Sequence, residues 1–290
     1  SPALGQVVCR CVLRTVAVFS VVLTGSQTLA SENLPIFDTH VHYSEDAWGL
    51  YAPSEIIDLL ARAGVSRALV SSTPDDGTLL LYQQDPDRVV PILRPYRSSV
   101  DMSGWFRDKA VMAYVEKRLK RAIYRGVGEF HIFGARDVDT PQMRWLVKLA
   151  VERNLVLHMH SDAEPVRALY AIGPKVKILW AHAGVFAPPD VIGELLDRYP
   201  TLSVELSLRA ADVAPGGALA PAWRELLLRH ADRFMIGTDT WASWRWTQYT
   251  ALVREHRRWL AQLPRPVAEK IAYRNAARHF ATAAVGAVLK

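Results

Sequence analysis

The sequence of 290 residues has the length of two average domains or of one barrel domain, and half of its residues are hydrophobic. With 22% charged residues, this composition excludes a disordered or fibrous chain. The formal charge of +6 is spread along the chain, without a basic and aromatic cluster that would indicate a nucleic-acid partner. No apolar run approaches the roughly 20 residues of a membrane-spanning helix. Both cysteines, Cys9 and Cys11, precede the main domain, which excludes a disulfide framework there.

The first thirty residues differ in composition from the rest of the chain. They contain no acidic residue, carry Arg10 and Arg14, and continue with the apolar run Val16–Leu23. Small and polar residues follow up to Ser31. A basic segment, a short apolar segment and a small-residue cleavage pattern predict a signal peptide over residues 1–30, and hence a secreted or periplasmic protein. A buried first helix or an uncleaved anchor is the alternative.

From residue 34 onward, short β-branched runs alternate with longer stretches of helical apolar spacing. The predicted strands are Pro35–Val41, Arg67–Ser72, Val89–Leu93, Gly126–Phe133, Leu155–His160, Val176–Ala181, Leu202–Leu206 and Phe234–Gly237. The predicted helices between them include Ser54–Ala63, Met112–Ile123, Met143–Val151, Pro189–Tyr199 and Ala220–His230. Strands regularly separated by helices predict a parallel sheet. Eight such units predict a closed (β/α)₈ TIM barrel, an α/β fold, as one domain over residues 31–290.

Polar residues gather at the C-terminal ends of the predicted strands, the face that carries the active site in such barrels. They include six of the nine histidines: His40, His42, His131, His158, His160 and His182. Since His40 and His42 are two residues apart on a strand, their imidazoles point to one face and supply half of a divalent-metal site that suits zinc. The first and eighth strands of a closed barrel are neighbours, so Asp239 is expected beside this pair. The set as a whole indicates a metal site.

These residues carry a resemblance to a known family. The segment Phe37–His42, the later strand-end histidines and Asp239 resemble the amidohydrolase superfamily of metal-dependent barrels. Three further stretches are similar to its amidohydrolase-related branch, which includes aminocarboxymuconate-semialdehyde decarboxylase: Ile178–Gly184, Phe234–Thr240 and Ile271–Phe280. The resemblance covers residues 34–281. It implies a metal-dependent enzyme that acts on a small molecule, without specifying the substrate.

The resemblance also implies a role for each strand-end residue. His40, His42 and His160 are expected as metal ligands. Asp239 is expected to bind the metal or its water and to act as the proton shuttle. His182 is expected beside the metal, either as the ligand of a second ion or as the group that polarises the substrate carbonyl.

Two of the strand-end residues, His158 and Glu129, leave alternatives open. His158 has the parity of His160 but lies one layer deeper, so either could be the ligand of the fifth strand, whereas Asp38 is expected behind the ligands. Glu129 departs from the single-metal members of the branch. The run Gly126–Phe130 resembles the TatD-like deoxyribonucleases, which use a glutamate there to bridge two metals. The alternative is a buried Glu129 paired with Arg94 or with a nearby histidine.

The expected cofactor is one or two Zn²⁺ ions, which make bound water a nucleophile near neutral pH. The first interpretation is hydrolysis of an amide, ester or lactone bond of a small molecule, with Asp239 moving the proton and His182 stabilising the oxyanion. Because the nearest branch contains decarboxylases, non-oxidative decarboxylation of a small carboxylated substrate is the alternative. A metal-free binding barrel is the third interpretation, disfavoured because no expected ligand is missing. The oligomeric state, including a homo-oligomer, is left open.

Two features bear on the substrate. Arg94 ends the third strand and Arg97 follows it, so guanidinium groups are expected at the rim of the pocket, where they suit a carboxylate or phosphate. The loop after the last strand holds three tryptophans. Trp241 is expected to line the pocket, whereas Trp244 and Trp246 are expected to pack against the following helix. The predicted substrate is small, flat or ring-bearing, and anionic.

Overall fold

The computed structural model describes residues 34–281, so the predicted signal peptide lies outside the described residues. The structure contains a strand at each of the eight predicted positions, within a few residues of the expected bounds. These strands are β1 (Ile36–Val41), β2 (Val65–Val70), β3 (Val89–Pro91), β4 (Gly126–His131), β5 (Val156–His160), β6 (Lys177–Trp180), β7 (Leu202–Glu205) and β8 (Phe234–Met235). All neighbouring strands pair in parallel.

The strands close into a barrel. Strands β1 to β3 form one hydrogen-bonded sheet and β4 to β8 form another. Two parallel bridges join these sheets at both edges, one between Leu93 and Val127 and the other between Asp38 and Ile236. The second bridge makes β8 and β1 neighbours, which confirms the predicted (β/α)₈ barrel.

Helices cover the outside of the barrel. They are α1 (Glu45–Trp48), α2 (Pro53–Arg62), α3 (Asp76–Gln84), α4 (Lys109–Leu119), α5 (Pro141–Glu152), α6 (Ala163–Ile172), α7 (Pro189–Arg198), α8 (Ala210–Val213), α9 (Pro221–Arg229), α10 (Tyr249–Leu260), α11 (Arg265–Glu269) and α12 (Asn275–His279). A π-helical turn, Lys270–Arg274, joins the last two. None of the helices within residues 34–281 has the length and apolar character needed to cross a membrane.

Local capping decides where two of these helices begin. The Thr140 hydroxyl accepts a hydrogen bond from the Met143 N–H (3.1 Å), so α5 starts at Pro141, two residues before the predicted start at Met143. The prediction for Met112–Ile123 is wrong at both ends. The Asp108 carboxylate caps α4 by accepting from the Ala110 N–H (2.7 Å), which starts the helix at Lys109, and α4 ends at Leu119.

The interior of the barrel changes character from one end to the other. Its N-terminal end is filled by what we call the basal cluster: Phe37, Leu69, Val90, Ile92, Val156, Leu179, Met235, Ala276 and Phe280. Phe280, directly after α12, closes this end with its ring centroid 6.2 Å from that of Phe37. On β5 the same face carries Val156, then His158 and then His160, because side chains on a strand alternate with a period of two. The strands therefore lead from an apolar end to a polar one.

Candidate functional site

The ends of β1 and β8 bring three predicted residues together. His40 and His42 lie at the C-terminal end of β1 and are buried. The Asp239 N–H donates to the carbonyl oxygen of His40 (2.7 Å), and the His42 N–H donates to the Thr240 hydroxyl (2.8 Å). These bonds hold the segment after β8 against β1, so the Asp239 carboxylate lies beside both imidazoles.

The distances among these side chains match those around a metal ion. The two Nε2 atoms of His40 and His42 are 3.0 Å apart, and Oδ1 of Asp239 lies 3.5 and 3.4 Å from them. Oε2 of Glu129 faces the same space at 3.2 and 3.1 Å from the two Nε2 atoms. A tetrahedral zinc ion with bonds of about 2.0–2.1 Å separates its ligand atoms by about 3.3 Å. We call His40, His42 and Asp239 the first ligand group.

The hydrogen bonds behind the two imidazoles determine which ring nitrogen carries the proton. Nδ1 of His42 lies 2.5 Å from the carbonyl oxygen of Ser71, which can only accept, so Nδ1 carries the proton. Nδ1 of His40 lies 2.9 Å from a carboxylate oxygen of Glu205 and donates to it in the same way. In neutral imidazoles with these tautomers both Nε2 atoms carry lone pairs, which face each other and two carboxylates. A proton on one imidazole or a cation between the two relieves this repulsion, and the set of two nitrogens and two carboxylates fits a divalent metal.

A second group of possible ligands surrounds the other oxygen of Glu129. Oε1 of Glu129 lies 2.8 Å from Nδ1 of His160 and 3.4 Å from Nε2 of His182. Nε2 of His131 is more distant, at 3.9 Å. Nε2 of His182 and Oδ1 of Asp239 are both buried without a hydrogen-bond partner, as expected for atoms that bind an ion. We call Glu129, His160 and His182 the second ligand group because both histidines face Oε1, although by mutual distance His182 also groups with His40 and Glu129, and His160 groups with His131 and Glu129. The other oxygen of Glu129 faces the first ligand group.

Glu129 is held in this position by its neighbours. Arg94 donates through Nη2 to Oε2 of Glu129 (3.0 Å) and through Nε to its carbonyl oxygen (3.1 Å), so the expected Arg94 pairing is present together with the histidine contacts. The residue before it, Gly128, has φ of +135°, and a Cβ atom there would lie 2.2 Å from the His158 carbonyl oxygen. Only glycine allows β4 to approach β5 this closely.

The buried carboxylates favour positive charge at this end of the barrel. Burial lowers the pKa of His40, but Asp239, Glu129 and Glu205 raise it by more, leaving it well above its usual value. Burial raises the pKa of Glu129, and the neighbouring His40 and His131 lower it to well below its usual value. A field that favours a protonated imidazole also favours a metal cation.

The deeper residues lie where the strand parity placed them. His160, and not His158, contacts Glu129. The His158 ring lies below the His40 ring, with centroids 4.6 Å apart, and burial lowers its pKa to about 4. Asp38 is fully buried and accepts hydrogen bonds from Thr238 and from the Tyr249 hydroxyl (2.7 Å), so it ties β1 to the segment after β8.

Two of the seven non-glycine residues with positive φ among residues 34–281 are site residues. His182 and Asp239 have φ of +56° and +59°, a left-handed conformation that costs about 1–3 kcal/mol for residues other than glycine. Two buried arginines hold these segments. Arg209 donates to the carbonyl oxygen of His182 (3.0 Å), and Arg245 donates to that of Asp239 (2.5 Å). With their backbones held in this conformation, both side chains point into the barrel mouth.

Sequence analysis missed two residues that contact the ligands. Glu205, at the end of β7, is fully buried and bonds to His40. Ser207 places its hydroxyl 2.7 Å from Nδ1 of His182. The available signal for Glu205 was a carboxylate near the C-terminal end of the predicted strand Leu202–Leu206.

The two predicted substrate-binding residues line one cavity. Arg94 and Trp241 both border a cavity of about 420 Å³ at the mouth. Trp246 is buried as expected, but Trp244 is half exposed and its ring packs edge-on against that of Trp241, with centroids 6.0 Å apart. The expectation that Arg97 faces the pocket rim is wrong, because its guanidinium is bound by two aspartates of its own loop (2.7 and 2.8 Å).

Several solved structures have a similar fold. A probable 2-pyrone-4,6-dicarboxylic acid hydrolase from Acinetobacter baumannii with bound citric acid is 15% identical and has a TM-score of 0.58, covering 86% of this chain and 100% of that one. An amidohydrolase from Burkholderia multivorans with bound zinc is 14% identical, with the same TM-score and coverage. The TatD homolog YjjV from Escherichia coli is 15% identical, with a TM-score of 0.58 and coverage of 86% and 98%. At these identities the likeness concerns the fold.

The sequence comparisons identify the family. A search of curated proteins gave no match. The sequence profile of the amidohydrolase family matches residues 37–281, from the first residues of β1 to the residue after Phe280. The match does not single out the branch with aminocarboxymuconate-semialdehyde decarboxylase. It spans every strand of the barrel and both ligand groups, and the chain therefore belongs to the amidohydrolase family.

Proposed function

We propose that this protein is a metal-dependent hydrolase that uses water to cleave an amide, ester or lactone bond of a small molecule. The observation that carries the proposal is the first ligand group, in which acceptor atoms of His40, His42 and Asp239 lie 3.0–3.5 Å apart. Imidazole nitrogen and carboxylate oxygen are the usual ligands of catalytic zinc, so we propose Zn²⁺ as the metal.

We propose two ions, one at each ligand group, with Glu129 between them. The support is that Oε2 of Glu129 faces His40 and His42 whereas Oε1 faces His160 and His182. The tautomer of His182 favours the ligand role over polarisation of a substrate carbonyl. Its Nδ1 lies 3.2 Å from the Ser207 carbonyl oxygen, which can only accept, so in the neutral imidazole Nε2 carries a lone pair that can bind an ion.

Zinc bound at this position supplies a water acidic enough to attack a carbonyl carbon near neutral pH. Asp239 accepts the proton that this water releases and returns it to the leaving group, a role worth about 10²–10⁴ in rate. The left-handed backbone of Asp239, held by Arg245, keeps the carboxylate at the mouth for both transfers. Arg94 fixes the orientation of the Glu129 carboxylate, so each carboxylate oxygen stays directed at its own ligand group.

For the substrate, we propose a small, flat molecule with an anionic group. Arg94 and Trp241 support this, since both border the mouth cavity. The Nη1 atom of Arg94 is not bonded to Glu129, and it donates a hydrogen bond to the Thr73 hydroxyl (3.4 Å). A guanidinium suits a carboxylate, and the indole offers a flat apolar wall.

The test is the metal dependence of turnover on a panel of lactones, esters, amides and carboxylated aromatics. Chelation should abolish activity, zinc should restore it, and a variant with both His40→Ala and His42→Ala should neither bind zinc nor turn over substrate. Incorporation of ¹⁸O from labelled water into the product indicates hydrolysis. Release of carbon dioxide without that incorporation indicates decarboxylation instead, and full turnover by metal-free protein refutes the proposal.

We also propose that the chain is exported after removal of residues 1–30, on the composition of that segment. N-terminal sequencing of the protein from its native cells tests this. A mature protein that starts at or near Ser31 supports export, and an intact N-terminus on cytoplasmic protein refutes it.

A further inference from the structure

Exposed apolar side chains are distributed unevenly over this protein. Among residues 34–281, eleven large apolar side chains are exposed. Eight lie in segments that follow the C-terminal ends of strands, around the mouth, and only three lie on the outer helices. The four aromatic ones, which we call the aromatic rim, are Phe133, Phe186, Trp241 and Trp244. Apolar surface concentrated at one face marks a place where something binds.

The aromatic rim is continuous with the candidate site. The Phe133 ring has its centroid 6.4 Å from that of His160, which belongs to the second ligand group, and 5.8 Å from that of His131. Trp241 follows Asp239 by two residues and borders the cavity of about 420 Å³. Phe133 therefore offers an apolar wall next to the second ligand group, and Trp241 offers another at the cavity that Arg94 also borders.

We propose that the substrate carries an extended apolar or aromatic group that packs against Phe133 and Trp241. This rests on the proposed function and names the substrate class as esters or amides that carry a hydrophobic acyl group together with the proposed anionic group, in place of wholly polar metabolites. Phe133 is 66% exposed and Trp241 is 55% exposed, so both have surface left to bury. Each methylene that leaves water for such a surface tightens binding about fourfold.

Hydroxamic acids of increasing chain length test this without any knowledge of the substrate. The hydroxamate group binds zinc, and the change in affinity with alkyl chain length measures the contact with Phe133 and Trp241. Calorimetry with zinc-loaded full-length protein compares acetohydroxamic, butanohydroxamic and hexanohydroxamic acid. We expect the dissociation constant to fall by up to about 16-fold with each added pair of methylenes. Phe133→Ala should reduce that gain and leave acetohydroxamic acid unaffected, whereas Leu228→Ala, an exposed residue on α9, should change neither.

The outcomes separate this inference from the proposed function. If acetohydroxamic acid does not bind, the metal site itself is refuted. If it binds and longer tails bring no gain, or if Phe133→Ala leaves the gain intact, the apolar subsite is overturned. A rim that instead associates with a second copy of the chain appears as a dimer that Phe186→Asp dissociates, with no dependence on tail length.

A different observation, the hydrogen bonding beneath the ligand groups, carries a second inference. Four donors converge on the fully buried Glu205 carboxylate. Oε1 lies 2.9 Å from Nδ1 of His40, 2.9 Å from the Ser207 hydroxyl and 2.8 Å from the His182 N–H, while Oε2 accepts from the Ser207 N–H (2.7 Å). Once the hydroxyl donates to Glu205, its oxygen accepts from Nδ1 of His182 (2.7 Å). Because a carboxylate only accepts, the Ser207 hydroxyl must donate to Glu205, and its oxygen is then left to accept from His182.

The geometry points to Glu205 and Ser207 as positioning residues that set the tautomers of one ligand in each group. Glu205 holds the proton of His40 on Nδ1, and Ser207 holds that of His182 on Nδ1, so each Nε2 is free to bind an ion. Such partners of metal-binding histidines typically contribute 10–100-fold in metal affinity. In Glu205→Gln, an amide that turns its NH₂ toward His40 reverses the tautomer and directs a proton at the metal.

Zinc titration against a chromophoric chelator tests this on the full-length chain. Glu205→Gln should weaken zinc binding 10–100-fold, Ser207→Ala should weaken mainly one of two equivalents, and the buried control Ser203→Ala on β7 should match the parent. Long-range ¹H–¹⁵N spectra of the zinc-loaded parent should show protonated Nδ1 in both histidines. Parent affinity in both variants, or unprotonated Nδ1 in the parent, overturns the inference, and a parent that binds no zinc refutes the proposed function instead.

Discussion

The two ends of the barrel interior are built on the same strands and differ in every property that matters for function. At the N-terminal end, the basal cluster consists of apolar side chains that are almost wholly buried. At the C-terminal end, two ligand groups bring histidines and carboxylates within 4 Å of one another, with Nε2 of His182 and Oδ1 of Asp239 lacking any hydrogen-bond partner. The difference shows which end of the barrel stabilises the fold and which end has the buried polar groups expected of an ion-binding site.

The largest expected effect is on catalysis at the C-terminal end. Asp239→Asn removes the proposed proton acceptor, so kcat should fall about 10²–10⁴-fold. The melting temperature of metal-free protein should change less than in a core truncation, because the lost ion pair with protonated His40 is offset by the removal of a buried charge that faces Glu129. Steady-state kinetics and calorimetric melting measure the two effects. A lower melting temperature in metal-free protein with unchanged kcat would show that Asp239 is structural.

The opposite pattern is expected at the N-terminal end. Phe37→Ala opens a cavity under Phe280, so the free energy of unfolding should drop by about 3–5 kcal/mol, while zinc binding by the folded fraction stays at the parent value. Phe133→Ala, at the exposed rim, is the matched control and should change stability by less than about 0.5 kcal/mol. Urea unfolding and zinc analysis check both. Equal losses of stability in the two variants would contradict the division between the ends.

A smaller effect is expected at the mouth cavity. Arg94→Met should raise KM for an anionic substrate about 10–100-fold more than for its neutral ester, since it removes a charged hydrogen-bond donor. Arg97→Met is the control, because Arg97 is already bound by Asp101 and Asp108 and should leave both KM values unchanged. If Arg94→Met affects the two substrates equally, Arg94 acts only by holding Glu129.

The smallest effect concerns pH. Buried His256 donates through Nε2 to the Gly237 carbonyl oxygen (2.8 Å) and accepts at Nδ1 from Trp259, and burial lowers its pKa to about 4. Because the folded pKa lies below the usual 6.5, the unfolded chain binds the proton more readily. Stability is therefore fully present above about pH 6.5 and is lost as the pH falls toward 4. When the pH is lowered from 7.5 to 5.0, the free energy of unfolding of both proteins is expected to fall. The fall should be about 2 kcal/mol smaller in His256→Gln than in the parent. Equal losses in urea titrations would refute this.

The sequence predicted the fold because its strongest signals are local. Eight β-branched runs separated by helical periodicity were sufficient for the barrel, although β8 has only two residues and α4 begins at an Asp108 cap that the apolar pattern does not show. The spacing of His40 and His42 indicated the metal, and closure of the barrel brought Asp239 beside them. Glu205 was missed because its significance lies in a contact with His40 across 165 positions of sequence, which strand periodicity alone does not register.

The central claim is that the C-terminal end of the barrel binds two divalent ions on either side of Glu129. An anomalous difference map, collected at the zinc absorption edge from crystals of the zinc-loaded protein, tests it most directly. The account predicts two peaks about 3.5–4 Å apart, one within bonding distance of His40, His42 and Asp239 and the other of His160 and His182, with a Glu129 oxygen at each. A map without a peak at the mouth, or with a single peak and Glu129 bound only by Arg94, would contradict it.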